Sequence, residues 1–313
     1  MAELVSVIVP TRDRLDDLLR AVGSVLAQRY PAIEVVVVDD GSTRDPVPVL
    51  APLFQDAPGR TLRIHRNPRP MGGGYSRRRG TEVAQGAYVC FLDDDDLYLP
   101  DKLATLVAYL DAHPEVDAVF GRVIIREGQG AGVDRLLDYR RYRTPVADDL
   151  ADICKLQTNG SLVRARALSR ANFHEGLQKF QDTQFHIELC KTSNTHILET
   201  PVAIWHKNRS ADQISHVARA GGAASIERFQ ALLDHLFSLS LLSPGERDFL
   251  ERKKLKYFAE YGLYAQGLAA ARARSLSSLA AFQLYWAYYW LGLTGVRGRL
   301  KSVLRREGAN ERA

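Results

Sequence analysis

Cysteine is scarce in this chain: Cys90, Cys154 and Cys190 are the three in 313 residues, far apart and odd in number. That excludes a disulfide framework and a cysteine zinc pattern, and it fits a reducing cytoplasm. There is no low-complexity tract and no internal repeat. The first strand-like segment begins at Val5, so no signal peptide is expected. The uncharged stretch Leu279–Val296 only approaches the roughly 20 apolar residues that a membrane-spanning helix needs.

Charge of one sign is missing from the body of the chain. From Glu251 onward there are twelve Lys/Arg against four Asp/Glu, a net +8 that leaves −3 for the rest of the formal +5. A body without net positive charge speaks against a nucleic-acid partner and assigns the basic character to the tail. Otherwise the composition, 46% hydrophobic and 25% charged, is that of an ordinary globular protein with room for one large domain and a smaller one.

What is present is a regular alternation. Apolar runs at Val5–Val9, Ile33–Val38, Leu62–Ile64 and Ala87–Leu92 read as strands. Leu15, Leu18, Leu19, Val22, Val25 and Leu26 recur at helical spacing, and Gly72-Gly73-Gly74 opens a helix through Ala84. Further on, Lys102–Leu110 reads as a helix, and Asp117–Ile125 and Ile197–His206 as strands. Phe173–Leu189 ends in a helical stretch, and from Ser225 the pattern is helical. Strands alternating with helices predict an α/β fold around a mixed, mostly parallel sheet, with a helical carboxyl-terminal extension.

Four consecutive carboxylates, Asp93–Asp96, close the Ala87–Leu92 run. Like charges at the mouth of a buried strand are costly. A divalent cation shared with a phosphate-bearing ligand would relieve that cost, because hard cations take oxygen ligands. An acidic turn capping the next helix is the other reading. A second acidic cluster, Asp39-Asp40-Gly41-Ser42, also lies at a strand's carboxyl end, where open α/β sheets bind ligands. By itself it reads equally as a base-contacting carboxylate or as a turn. The Gly-rich helix start followed by Arg77-Arg78-Arg79 suits a pyrophosphate, with Arg77 favoured and the other two partly solvated.

In combination these segments closely resemble the family 2 glycosyltransferases of GT-A fold. The strand ending in Val9-Pro10-Thr11, the Val-Val-Asp39-Asp40-Gly41-Ser42 turn and the Gly/Arg helix come first. Gly86-Ala87-Tyr88 leading into Asp93–Asp96 and Pro100-Asp101-Lys102-Leu103 complete a resemblance over about residues 4–210. It implies an inverting transfer of a sugar from a nucleotide-sugar, a UDP-sugar by family preference, to a saccharide or lipid-linked acceptor in cell-surface polysaccharide or glycolipid assembly. It also implies site roles. Pro10, Thr11 and Arg12 would line the nucleoside pocket, Arg12 standing near where the family often has an aromatic residue. Asp40 would contact the base with Asp39 beside it, Asp93 would lie near the ribose and metal, and Arg77 and Asp94 would meet the rest of the donor. Asp95 would be the main ligand of Mn2+ or Mg2+ with His206 nearby, or, one residue along, Asp94 and Asp96. Asn159, Gly160 and Ser161 would line the acceptor side. Asp182, preceded by Gln181 where the family has Glu, would be the catalytic base.

The expected organisation is a GT-A catalytic domain over 1–210, with a nucleotide-sugar half over 1–100 and an acceptor half over 101–210. A mobile loop over 211–224 and a helical region over 225–313 follow. Within the latter, 279–306 combines Tyr and Trp with Arg297, Arg299, Lys301, Arg305 and Arg306, which suits an anionic membrane surface. That places the chain on the inner face of the cytoplasmic membrane. A helix packed on the catalytic domain, or on another subunit of a homo-oligomer, is the competing reading. A non-catalytic nucleotide-sugar-binding scaffold of the same fold, and a phosphohydrolase, are the competing functions.

Overall fold

A computed structural model of the chain describes residues 2–127, 133–137, 150–207 and 222–290. The chain divides into two compact units, Met1–Asn208 and Arg209–Ala313.

The first unit is built on a sheet of nine strands: β1 (Val5–Thr11), β2 (Ile33–Asp39), β3 (Arg60–Arg66), β4 (Tyr88–Phe91), β5 (Leu97–Tyr98), β6 (Ala118–Glu127), β7 (Val133–Leu136), β8 (Ser161–Arg164) and β9 (Thr195–Lys207). The order is β3-β2-β1-β4-β8-β6-β9-β5, with β7 paired to β6. The pairs among β3, β2, β1 and β4 are parallel, as is β6 with β9. β8 runs antiparallel between β4 and β6, and β5 and β7 are antiparallel additions. This is the mixed, mostly parallel sheet that the alternation predicts. β1, β2 and β4 are almost wholly buried, which explains their largely apolar runs.

The helices of this unit are α1 (Leu15–Leu26), α2 (Val47–Leu50), α3 (Gly73–Val83), α4 (Lys102–Ala112), α5 (Leu150–Ile153) and α6 (Gln181–Thr192). Leu18, Ala21, Val22 and Val25 form the buried face of α1, as the periodicity requires, and join the core with Val5, Val7, Val9, Val35 and Val37.

The second unit is helical: α7 (Gly222–Ser238), α8 (Pro244–Glu260), α9 (Tyr264–Arg274) and α10 (Leu276–Trp290). Gly222, Ala223 and Ala224, expected in a loop, already belong to α7. The rest of that expected loop lies outside the described residues. α8 begins with a capping box between Ser243 and Glu246, followed by Pro244 in the first turn. Phe282 and Tyr285 of α10 are buried against Leu255, Phe258 and Ala259 of α8 and Ala271 of α9. Trp290 Nε1 donates to the Ala259 carbonyl at 2.7 Å. Much of the aromatic stretch that reads from sequence as a membrane anchor therefore packs inside its own helical unit. No helix among the described residues is long and apolar enough to cross a membrane.

Candidate active site

Sheet register brings the acidic run to the end of β1. Ile8 pairs with Phe91, so three residues further along each strand Thr11 meets Asp94, and Thr11 Oγ1 donates to Asp94 Oδ2 at 2.8 Å. The four aspartates then diverge, each with its own partner. Asp93 Oδ1 accepts from Arg77 Nη2 at 2.5 Å. Arg14 Nη1 lies 3.4 Å from Asp94 Oδ1 and 3.0 Å from Asp95 Oδ2. Asp96 is buried and accepts from Asn159 Nδ2 at 2.7 Å and from the His206 backbone N–H at 2.9 Å. Burial raises Asp94 to about 7 against the pull of Thr11 and Arg14. Burial also raises Asp95, with the Asp93 charge adding to it. These carboxylates sit in the environment that favours an added cation.

Asp182 reaches the same place from the first turn of α6, where the helix N-terminus favours a carboxylate. Its Oδ1 lies 3.6 Å from Arg77 Nη1, while the side chain as a whole keeps 47% of its surface open. Burial of the carboxyl raises its pKa, Arg77 pulls it back, the Asp93 charge raises it again, and a Thr158 hydrogen bond lowers it. Arg77 is thus a buried bridge between the acidic run and Asp182. Burial alone would lower its pKa, but Asp93 and Asp182 outweigh that and hold it above the ordinary arginine value. Its guanidinium also lies 5.5 Å from the Phe173 ring centroid, within an aromatic cluster of Phe91, Phe173 and Phe185.

The Asp39–Ser42 turn is tied by its own side chains. Asp39 is fully buried, accepts from the Ser42 N–H at 2.9 Å and pairs with Arg66 at 3.2 Å. Asp40 accepts from Asn67 Nδ2 and from the backbone N–H groups of Met71 and Gly72, each at 2.8 Å. Gly41 and Gly72 take φ of +74° and +95°, the left-handed backbone that glycine supplies without strain. Asp40 therefore fastens the loop that launches α3, while Asp39 ties its own turn to the end of β3. Beside them lies a cavity of about 430 Å³, lined in part by Thr11, Asp13, Arg14, Ser42, Thr43 and Arg44.

Other sequence candidates fall into supporting places. Pro10 and Thr11 end β1, but the Arg12 side chain is 55% exposed and pairs loosely with Asp13 at 3.8 Å. Asn159, Gly160 and Ser161 are buried at the turn into β8, where Asn159 holds Asp96 and Ser161 Oγ donates to the Thr158 carbonyl. Burial lowers the His206 pKa, Arg126 lowers it further, and a hydrogen bond to the Asp95 backbone opposes them. His206 thus steadies the acidic turn through backbone as well as lying near it.

Three contributors escape the motif reading. Arg14 lies two residues beyond Arg12, and nothing in the sequence there distinguishes the two arginines. Asp13 takes φ +54° and accepts from both the backbone N–H and the hydroxyl of Thr43. Lys102 is buried, stacks on Tyr98, and donates to the Asn159 carbonyl at 2.5 Å.

The donor set decides whether Mn2+ or Mg2+ fits. Among the described residues no three His, Cys, Asp or Glu side chains gather as a metal-holding group. Asp93 and Asp95, however, belong to one turn, closed by the Asp96 N–H to the Asp93 carbonyl, and keep 39% and 19% of their side chains open. A pair of carboxylates suits a divalent ion that takes its remaining ligands from phosphate and water. The described residues offer such an ion two carboxylates and no all-protein cage.

Solved structures share this fold. Staphylococcus aureus TarS in complex with UDP-GlcNAc superposes with a TM-score of 0.62 at 21% identity, covering 96% of this chain and 83% of that one. The mannosyltransferase PcManGT of Pyrobaculum calidifontis, in complex with GDP-Man and Mn2+, gives 0.58 at 19% identity over 98% and 87%. The fold is that of the GT-A glycosyltransferases. The model of glycosyl transferase family 2 matches residues 6–172, and the chain belongs to that family. It is 36% identical over 179 residues to the succinoglycan biosynthesis protein ExoO of Rhizobium meliloti, covering 56% of this chain and 46% of ExoO. It is 34% identical over 142 residues to a PGL/p-HBAD biosynthesis glycosyltransferase of Mycobacterium bovis, covering 44% and 55%. The chain spans about half the length of the curated relatives it matches.

Proposed function

We propose that this chain is an inverting, metal-assisted glycosyltransferase. It moves a sugar from a nucleotide-sugar, a UDP-sugar by preference, to a hydroxyl of a saccharide or lipid-linked acceptor in cell-surface polysaccharide or glycolipid assembly. The observation that carries the reading is the Asp93–Arg77–Asp182 bridge. It sets a helix-start carboxylate beside an acidic strand end, so that a base and a diphosphate site share one guanidinium.

Asp182 takes the proton from the acceptor hydroxyl, with its orientation held by Arg77 and Thr158. Asp93 and Asp95 would hold Mn2+ or Mg2+, which when bound neutralises charge on the leaving diphosphate. Asp96, tied to Asn159 and His206, fixes the turn and favours Asp95 over the register shifted by one. Thr11, Ser42 and Thr43 line the nucleoside side. Relatives that act in succinoglycan and PGL/p-HBAD biosynthesis support the acceptor class. Contact with an anionic membrane surface, on the cytoplasmic face, belongs to this reading through exposed Leu276 and Trp290 and the basic sequence beyond Val296.

The test is a panel of nucleotide-sugars with Mn2+, read by protection against thermal unfolding and then by transfer to glycan acceptors. A nucleotide-sugar that binds but is neither transferred nor hydrolysed would favour the scaffold reading. Membrane contact is tested by fractionating a chain ending at Trp290, which keeps α10 intact. Unchanged membrane association of that chain removes the basic tail from the role.

A further inference from the structure

His186 is a buried histidine that the proposed chemistry does not use. It lies on α6 one turn beyond Asp182, so the two side chains share a face of the helix. Its ring packs edge-on against Phe120, 5.4 Å between centroids, and its Nε2 lies 3.4 Å from the Thr158 hydroxyl oxygen. That hydroxyl also hydrogen-bonds the Asp182 carboxyl group. Thr158 is itself buried, in the turn before β8. The turn is pinned: Ser161 Oγ donates to the Thr158 carbonyl at 2.7 Å and Lys102 Nζ to the Asn159 carbonyl at 2.5 Å. A candidate base, a fixed hydroxyl and a buried imidazole thus follow one another.

Counting protons sets the direction of these bonds. An ionised carboxylate only accepts, and a hydroxyl has one proton to give. Thr158 therefore donates to Asp182 and must accept from its other neighbour. A neutral imidazole carries a single N–H, and burial with the Arg77 charge nearby keeps His186 neutral. Its N–H is then on Nε2. We infer, resting on Asp182 as the base proposed above, that Thr158 and His186 are positioning residues for that base: His186 Nε2–H donates to the Thr158 hydroxyl, which is thereby turned to donate to Asp182 and fixes the rotation of the carboxylate that meets the acceptor. The pair holds the base and does not drain it. An imidazole with a pKa of about 3 takes no proton from a carboxylic acid at neutral pH. Asp182, with 47% of its side chain open, gives its proton to water instead.

The experiment is nitrogen NMR of the full chain labelled with 15N-histidine at neutral pH, with His186 identified by its contacts to the Phe120 ring. The expected result is a slowly exchanging proton on Nε2 and none on Nδ1. Thr158→Val and Asp182→Asn should each move that Nε2–H signal, and Thr158→Ser should leave it in place. A His186 protonated on Nδ1 alone, or an Nε2–H signal indifferent to Thr158→Val, overturns the inference and leaves Asp182 standing as the base. Transfer kinetics, with the nucleotide-sugar and acceptor that the donor panel selects, supply the second readout. Thr158→Val should lower kcat roughly tenfold, the scale of a lost hydrogen bond to a charged group. Both KM values should stay within about twofold, because the change acts on the base and not on uniform binding. His186→Phe, which keeps the ring packing, should lower kcat in the same way, and His186→Gln, which keeps a donor, should recover most of it. Adding His186→Phe to Thr158→Val should cost less than about a further twofold, since both act through one bond. Fully additive losses, or an unchanged kcat in Thr158→Val, overturn the inference. Transfer by Asp182→Asn at the wild-type rate overturns the reading beneath it.

Discussion

Arg77 Nη2 stands 2.5 Å from Asp93 Oδ1, and the other arm of the same guanidinium lies 3.6 Å from Asp182 Oδ1. A single buried arginine thus joins the strand that ends in carboxylates to the helix that begins with one. Removing it strands two acids at once. A fully buried pair broken this way loses roughly 3–5 kcal/mol. Asp93 is 39% exposed and Asp182 47%, so screening reduces the expected loss for Arg77→Met to about 2 kcal/mol. Urea denaturation measures it, and a change below about 0.5 kcal/mol, the size of an ordinary surface effect, would show that the bridge contributes nothing to stability.

Asp182→Asn keeps the shape of the side chain and removes its basicity. Turnover should fall by about 10²–10⁴-fold, the usual contribution of a positioned base. Donor affinity, measured by calorimetry, should stay within about twofold, because the base acts on the acceptor and not on donor binding. Transfer at a wild-type rate would exclude Asp182 from the role.

His186 gives the fold an acid-sensitive element. It is buried on α6, its Nε2 3.4 Å from the Thr158 hydroxyl, and burial with Arg77 nearby lowers its pKa to about 3. The unfolded chain takes up this proton below about 6.5 while the folded one does not. The stability it contributes is therefore complete above pH 6.5 and is lost as pH falls toward 3. At pH 5 the loss is roughly 2 kcal/mol relative to pH 7.5. His186→Gln should flatten that acid limb in denaturation curves at the two pH values.

Lys102 acts at the other end of the scale. Burial lowers its pKa from 10.5 to about 7. The unfolded chain holds this proton more tightly, so the penalty is full below pH 7 and is relieved as pH rises from 7 toward 10.5. Lys102→Met should abolish its share of the rise in stability between pH 7 and 9, measured by the same denaturation experiment. Its lost hydrogen bond to Asn159 should also loosen the support of Asp96, visible as faster exchange of the His206 amide hydrogen.

Gly80 packs α3 onto β1. A Cβ there would come within 2.4 Å of Ile8 Cγ2. Gly80→Ala gains up to about 1 kcal/mol in helix propensity, but overpacking costs about 1–3 kcal/mol. A net loss near 1 kcal/mol is expected in thermal or urea denaturation. A stabilised variant would mean that Ile8 moves aside freely.

The order of the elements was legible because each carries its own short-range signal. The apolar runs of β1, β2 and β4 and the helical spacing of Leu15–Leu26 fall where the sequence puts them. The family was legible because its turn, Gly/Arg helix and acidic run occur in a fixed order, and the match over residues 6–172 covers that order. What one-dimensional spacing cannot hold is the partner of each charge. Four identical aspartates look alike in sequence, yet Asp93 meets Arg77, Asp94 meets Thr11 and Arg14, Asp95 meets Arg14, and Asp96 meets Asn159 and the His206 backbone. Those partners come from β1 and the turn after it, α3, β9 and the turn before β8, and only sheet register and helix packing bring them together. The sequence by itself determined the chemistry available at the carboxyl edge of the sheet. The tertiary structure decided which carboxylates are spent on the fold and which keep an open face, because that depends on distances between segments far apart in the chain.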